Sequence, residues 1–139
     1  DINGLKQVND NLGHEAGDEL IRSVAGVLRG SIRQQDMVAR LGGDEFLVVF
    51  DGLDVQGCED VWKRIADGFE AINRGENRRY LISVSHGIAN YRCNSSEDID
   101  LIIQSADAKM YEEKRQLKEN LRVIREPKSD PPSRSLRFD

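Results

Sequence analysis

The chain has 139 residues, enough for one domain with one hydrophobic core. Its formal net charge of -5 argues against broad binding to nucleic acid or membrane by bulk electrostatics. No apolar stretch is long enough to span a bilayer, and Cys58 and Cys93 share no metal-type spacing, so two reduced thiols in a cytosolic protein are expected.

Asp1-Ile2-Asn3 opens the chain without an apolar run before it, and it reads as the end of a strand whose body lies upstream. Leu5, Val8 and Leu12 are spaced three and four apart, which predicts a helix. Leu20, Ile21, Val24, Ala25, Leu28 and Ile32 form the apolar stripe of a second helix, with Asp18 expected in its first turn. Met37-Val38-Ala39 and Phe46 to Phe50 predict two strands joined through Gly42-Gly43, a β-hairpin with Asp44 and Glu45 at its tip. Adjacent acids on a turn pack poorly and ligate metals well, although such a pair alone is usually just solvated.

Asp54 is expected to open a third helix with an apolar face of Cys58, Val61, Trp62, Ile65, Ala66, Phe69 and Ile72, closed by Asn73 and Gly75. Trp62, Phe69, Met37 and Met110 are expected in the core. Tyr80 to Ser85 predict a strand, interrupted by His86-Gly87. Asn94-Ser95-Ser96-Glu97 resembles a capping box for a helix carrying Ile99, Ile102, Ile103, Ala106 and Met110. Leu121 to Ile124 predict a short final strand. From Glu126 the chain holds all three prolines and few large apolar residues, so 126–139 are expected to be a disordered tail after a domain at 1–125. The order of elements gives an α+β (α/β sandwich) class.

Five ordered segments resemble the GGDEF family of diguanylate cyclases. They are Asp1 to Asp10, Gly13 to Asp18, Arg40 to Phe46, Ser83 to Gly87, and Ala106-Asp107 through Tyr111 to Lys114. The resemblance implies a central, mainly antiparallel sheet flanked by helices, akin to nucleotide-cyclase and polymerase palms, here without the family's N-terminal helix and most of its first strand. That shortening predicts instability or inactivity of this stretch alone. The implied reaction condenses two GTP into cyclic di-GMP with release of pyrophosphate, across a homodimer of two such domains.

By resemblance, Asp1, Asp44, Glu45 and the Ile2 carbonyl are metal ligands for Mg²⁺ or Mn²⁺, two ions per half-site. Asp44 is the implied general base and Lys6 stabilises developing charge. Asn9 and Asp18 match guanine readers, His14 a substrate contact, and Lys114 and Lys118 phosphate-binding positions. Arg33 and Asp36 match the RxxD product-inhibition site that binds cyclic di-GMP. Each has a plainer reading: Asp18 serves a helix dipole, His14 caps or packs a loop, Lys6 and Lys114 are surface lysines, and Arg33 pairs locally with Asp36. Asn3 stands where the family usually has a second Asp, Leu117-Lys118 where it has Gly and Arg, and His86 where it has Ile or Val.

A non-catalytic module sensing cyclic di-GMP or GTP is the competing reading, though such members usually lose the acids of the turn. Another nucleotide cyclase or polymerase palm would share the metal acids but would not need Asn9 with Asp18. An upstream sensory or receiver module is implied as partner, with any membrane anchoring of the parent carried upstream of a cytoplasmic domain.

Overall fold

Gly4 has φ of +74°, and a Cβ there would lie 2.5 Å from Val123 Cγ2, so glycine is required both by conformation and by contact. From this turn the chain enters α1 (Leu5–Leu12), which buries Val8. Gly13, with φ of +90°, breaks the path and starts α2 (His14–Ser31). α2 therefore begins earlier than expected. Glu15 takes the first-turn position near the helix N-terminus, and Asp18 falls in the following turn. The computed structural model describes residues 1–75, 77–118 and 121–126. The predicted tail lies outside them except for Glu126.

The expected hairpin forms: β1 (Met37–Arg40) pairs antiparallel with β2 (Phe46–Val49), Arg40 opposite Phe46. Met37 is 52% exposed, against the core position expected for it. Among the described residues β1 pairs only with β2, and Met37 starts it, which leaves about half of its side chain to solvent. α3 (Val55–Gly75) starts where Asp54 predicts, with Asp54 Oδ1 accepting from the Gly57 amide at 2.7 Å. It buries Cys58, and its Val61, Ile65 and Phe69 share one core with Leu20, Val24 and Leu28 of α2. At the crossing a Cβ on Gly68 would lie 2.9 Å from Val27 Cγ1, so glycine permits the close approach.

α4 (Ile99–Lys118) is different. It has no buried side chain, and Ile99, Leu101, Ile103, Tyr111 and Leu117 are exposed. The expected capping box is not what starts it. Ser95 accepts from the Glu97 amide in a local turn, while Asp98 Oδ1 accepts from the Asp100 amide at 2.9 Å. Asp98 is the nearer oxygen to the free amides of the first turn, so it displaces the earlier pair.

The extended segment 79–85 organises the rest of the sheet. Asp1 and Ser85 exchange both backbone bonds at 2.9 Å, and Asn3 N donates to Ser83 O at 2.8 Å. Leu81 N donates to Val123 O and Arg125 N to Arg79 O, each at 2.7 Å. Odd-numbered residues point to one side of an extended chain, so 1–3 and 123–125 lie end to end along the same edge. On the other edge the Asn73 amide takes both backbone groups of Ile82, at 2.8 and 2.9 Å. The predicted strands at 80–85 and 121–124 are thus present as short ladder contacts, Ile2 opposite Val84 and Tyr80 opposite Ile124. Helices over a mainly antiparallel sheet give the α+β class.

Candidate functional site

Ile2 N donates to Asp44 O at 2.8 Å, which seats the tip of the hairpin beside the first residues of the chain. The tip is held from within. Arg40 Nε and Nη2 donate to the carbonyls of Gly42 and Gly43 at 3.1 Å, and Leu41 N donates to Glu45 O at 2.9 Å. Arg40 is a turn-holding residue that sequence reasoning left without a role; its place just before the two glycines was the available signal.

Asp1 and Asp44 converge on one cation. Lys114 Nζ lies 2.6 Å from Asp1 Oδ1 and 4.0 Å from Asp44 Oδ2. The Asp1 side chain is only 8% exposed, whereas that of Asp44 is 45% exposed. One carboxylate is thus fixed in the floor and the other stands at the mouth. Glu45 is exposed on the same turn.

Asn3 is buried beneath this floor. Its Nδ2 donates to Ser83 Oγ at 3.0 Å and Ser85 Oγ at 2.9 Å, and Ser85 Oγ reaches Asn3 Oδ1 at 3.1 Å. The amide donates to both hydroxyls and Oδ1 accepts from Ser85, so the paired serines of the neighbouring strand satisfy this buried side chain without a charge.

Asn9 lies over α2, since a Cβ on Gly17 would meet Asn9 Oδ1 at 1.8 Å. Gly17 thereby brings the Asn9 amide next to the residue before Asp18. Lys6 on α1, His14 and Asp18 on α2 and Lys118 at the end of α4 are exposed. Among the described residues none of the four bonds to Asp1, Asp44 or Lys114.

Arg33 and Asp36 form a closed pair at the foot of the hairpin. Arg33 donates to both Asp36 oxygens, at 3.0 and 2.8 Å, and to Asp51 O at 2.6 Å. The Arg33 and Asp51 amides add bonds to the same carboxylate. These bonds, those of the Arg33 side chain first, hold the Asp36 carboxyl down to about 2.

Among the described residues no three His, Cys, Asp or Glu side chains are grouped as a metal cluster. The donor set is instead the two carboxylates of Asp1 and Asp44 around Lys114. It fits a magnesium ion that takes one or two carboxylates and completes its shell with phosphate and water.

Comparison with known proteins decides the lineage of this arrangement. The family model described as "Diguanylate cyclase, GGDEF domain" matches residues 1–120. The chain belongs to the GGDEF family. It is 41% identical over 120 residues to the bifunctional diguanylate cyclase/cyclic di-GMP phosphodiesterase MucR of Pseudomonas aeruginosa, covering 84% of this chain and 17% of that protein. It is 37% identical over 128 residues to diguanylate cyclase TpbB of the same species, covering 88% of this chain and 28% of that one. The crystal structure of the GGDEF domain of DgcB from Caulobacter crescentus, in complex with c-di-GMP, aligns with a TM-score of 0.73 at 31% identity, over 84% of this chain and 69% of that one. The chain spans about a sixth to just over a quarter of the length of these two curated relatives, from 17% for MucR to 28% for TpbB. This GGDEF chain is thus similar to one part of larger signalling proteins.

Proposed function

We propose that this GGDEF chain contributes the half-site of a diguanylate cyclase, which joins two GTP molecules into cyclic di-GMP and releases pyrophosphate. The observation that carries the reading is the convergence of Asp1 and Asp44 on Lys114. Two acids and a movable ammonium suit a triphosphate with its divalent cation. The 3′-hydroxyl of one GTP attacks the α-phosphorus of the other. The new P–O bond forms as the bond to pyrophosphate breaks, and the hydroxyl proton passes to Asp44, the more exposed acid. Asp1, Asp44, Glu45 and the Ile2 carbonyl would hold Mg²⁺ or Mn²⁺, which offsets charge on the attacking and leaving oxygens. Lys114 exchanges Asp1 for phosphate oxygens when nucleotide enters, and Lys6 and Lys118 add positive charge at the periphery. Asn9 and Asp18 accept from and donate to the guanine edge, and His14 lines the base. Ring closure needs the same half-site from a second copy, related by a two-fold axis.

Incubation with GTP and Mg²⁺ or Mn²⁺, followed by product chromatography, tests the reading in a protein that carries this domain. Asp44→Ala is expected to abolish cyclic di-GMP while leaving the thermal melt unchanged. Product formation by that variant at the wild-type rate would remove the assignment. Because the acids of the turn are present, catalysis is preferred to a sensor role.

Product feedback through Arg33 and Asp36 is part of the same proposal. A ligand there must open the bonds that Arg33 makes to Asp36 and Asp51. Arg33→Ala should weaken cyclic di-GMP binding in calorimetry. Equal affinity in both proteins would show that the pair is a loop clasp only.

A further inference from the structure

His86 stands between the two helices that flank segment 79–85. Its ring stacks on Trp62 of α3, with centroids 4.1 Å apart and planes 13° from parallel. Nε2 lies 3.2 Å from Glu59 Oε2 of α3. Nδ1 lies 2.9 Å from Glu113 Oε2 of α4, buried but off the line of a hydrogen bond, and the His86 amide donates to Glu113 Oε1 at 3.3 Å. An apolar residue would keep the amide bond but lose the ring's contacts with both carboxylates.

α4 depends on such links. It buries no side chain, so apolar packing does little to fix where it sits. Its seat is defined by Gly87, where an added Cβ would lie 2.0 Å from Ala106 O, by Lys109 Nζ donating to Ile88 O at 2.8 Å, and by Glu113 on His86. Lys114, the next residue after Glu113, is the one that reaches Asp1 and Asp44.

We propose that His86 is a positioning residue: bridging Glu59 and Glu113 while stacked on Trp62, it seats α4 so that Lys114 meets the two carboxylates. The charged groups that face the ring are Glu59 from α3 and Glu113 from α4. Loss of the ring removes the contacts to both carboxylates and to Trp62, and Lys114 loosens with the helix that carries it. The inference rests on the proposed half-site only for what Lys114 does there; the bridge itself is independent of nucleotide.

Both readouts of the test omit nucleotide and metal, so loss of the cyclase reading would not affect them. Trp62 is the single tryptophan of the chain, and the ring stacked on it bears on its emission. At one fixed pH, His86→Gln is expected to change Trp62 emission, because the stack is lost. In parallel, trace acetylation with acetic anhydride compares Lys114 with the exposed Lys118 by peptide mass mapping at the same pH. Lys114 is expected to react severalfold faster in His86→Gln and in Glu113→Gln than in wild type, at unchanged far-ultraviolet circular dichroism. Glu113→Gln keeps the side-chain size and serves if His86→Gln does not fold. Unchanged Trp62 emission in His86→Gln, or equal Lys114 labelling in folded variant and wild type, would overturn the proposal.

Discussion

The α2–α3 pair and α4 are held by different physics. α2 and α3 press Leu20, Val24, Leu28, Val61, Ile65 and Phe69 into a continuous apolar core, tightened by Gly68 against Val27. α4 has no buried residue and is tied down by a glycine contact, a lysine on a carbonyl and a histidine between carboxylates. The helix pair fixes the domain. α4 carries Lys114 and rests on polar links that ligands can alter.

Substitutions should separate the helix pair from α4 by the size of their effects. Phe69→Ala removes a buried ring from the α2–α3 side and should cost about 3–5 kcal/mol of global stability in urea unfolding. A loss below about 1 kcal/mol, a third of the low end of that range, would mean the core lies elsewhere. Gly87→Ala drives a methyl into the α4 backbone and should cost about 1–3 kcal/mol. Its signature is local: amide exchange should accelerate over α4 (Ile99–Lys118) and hold steady over α2 (His14–Ser31). Equal acceleration in both helices would erase the distinction drawn here. Asp54→Ala, which strips the cap from α3, should cost about 1 kcal/mol. Loss of that cap should leave Lys114 labelling unchanged.

The smallest effect concerns acid. The Asp36 carboxyl is held at about 2 in the fold, below its ordinary value of 3.8. A lowered folded value stabilises above the unfolded one and is lost as pH falls between them. The hairpin foot should therefore weaken from about pH 4 to about pH 2, and Asp36→Asn should flatten that limb of a stability-versus-pH curve. An identical acid limb in the variant would place the titrating group elsewhere.

Local patterns reached the local structure. The spacing of Leu20, Val24 and Leu28, the cap at Asp54 and the glycines between Met37 and Phe50 located α2, α3 and the hairpin, because each signal and its consequence lie within a few residues. The start of α2 was misplaced since Gly13 turns the chain before the apolar stripe begins. The start of α4 was misplaced because Ser95 closes a local turn on the Glu97 amide, while Asp98 accepts from the Asp100 amide at the helix start. The site is a harder case. Asp1, Asp44 and Lys114 meet across more than a hundred residues, and only the family resemblance suggested that they share a purpose. The partners of Asn3 and His86 were invisible for the same reason: their unusual identities show in the sequence, but the serines and carboxylates that explain them come from distant elements.

Asn73 shows how a helix can finish a sheet. Its side chain offers one donor and one acceptor to Ile82, as the backbone of a neighbouring strand would. That edge is consequently shut to any extended stranger at the point where a row of free amides and carbonyls would invite recruitment. A single carboxamide, replaced by alanine, would turn a finished border into a template for self-association.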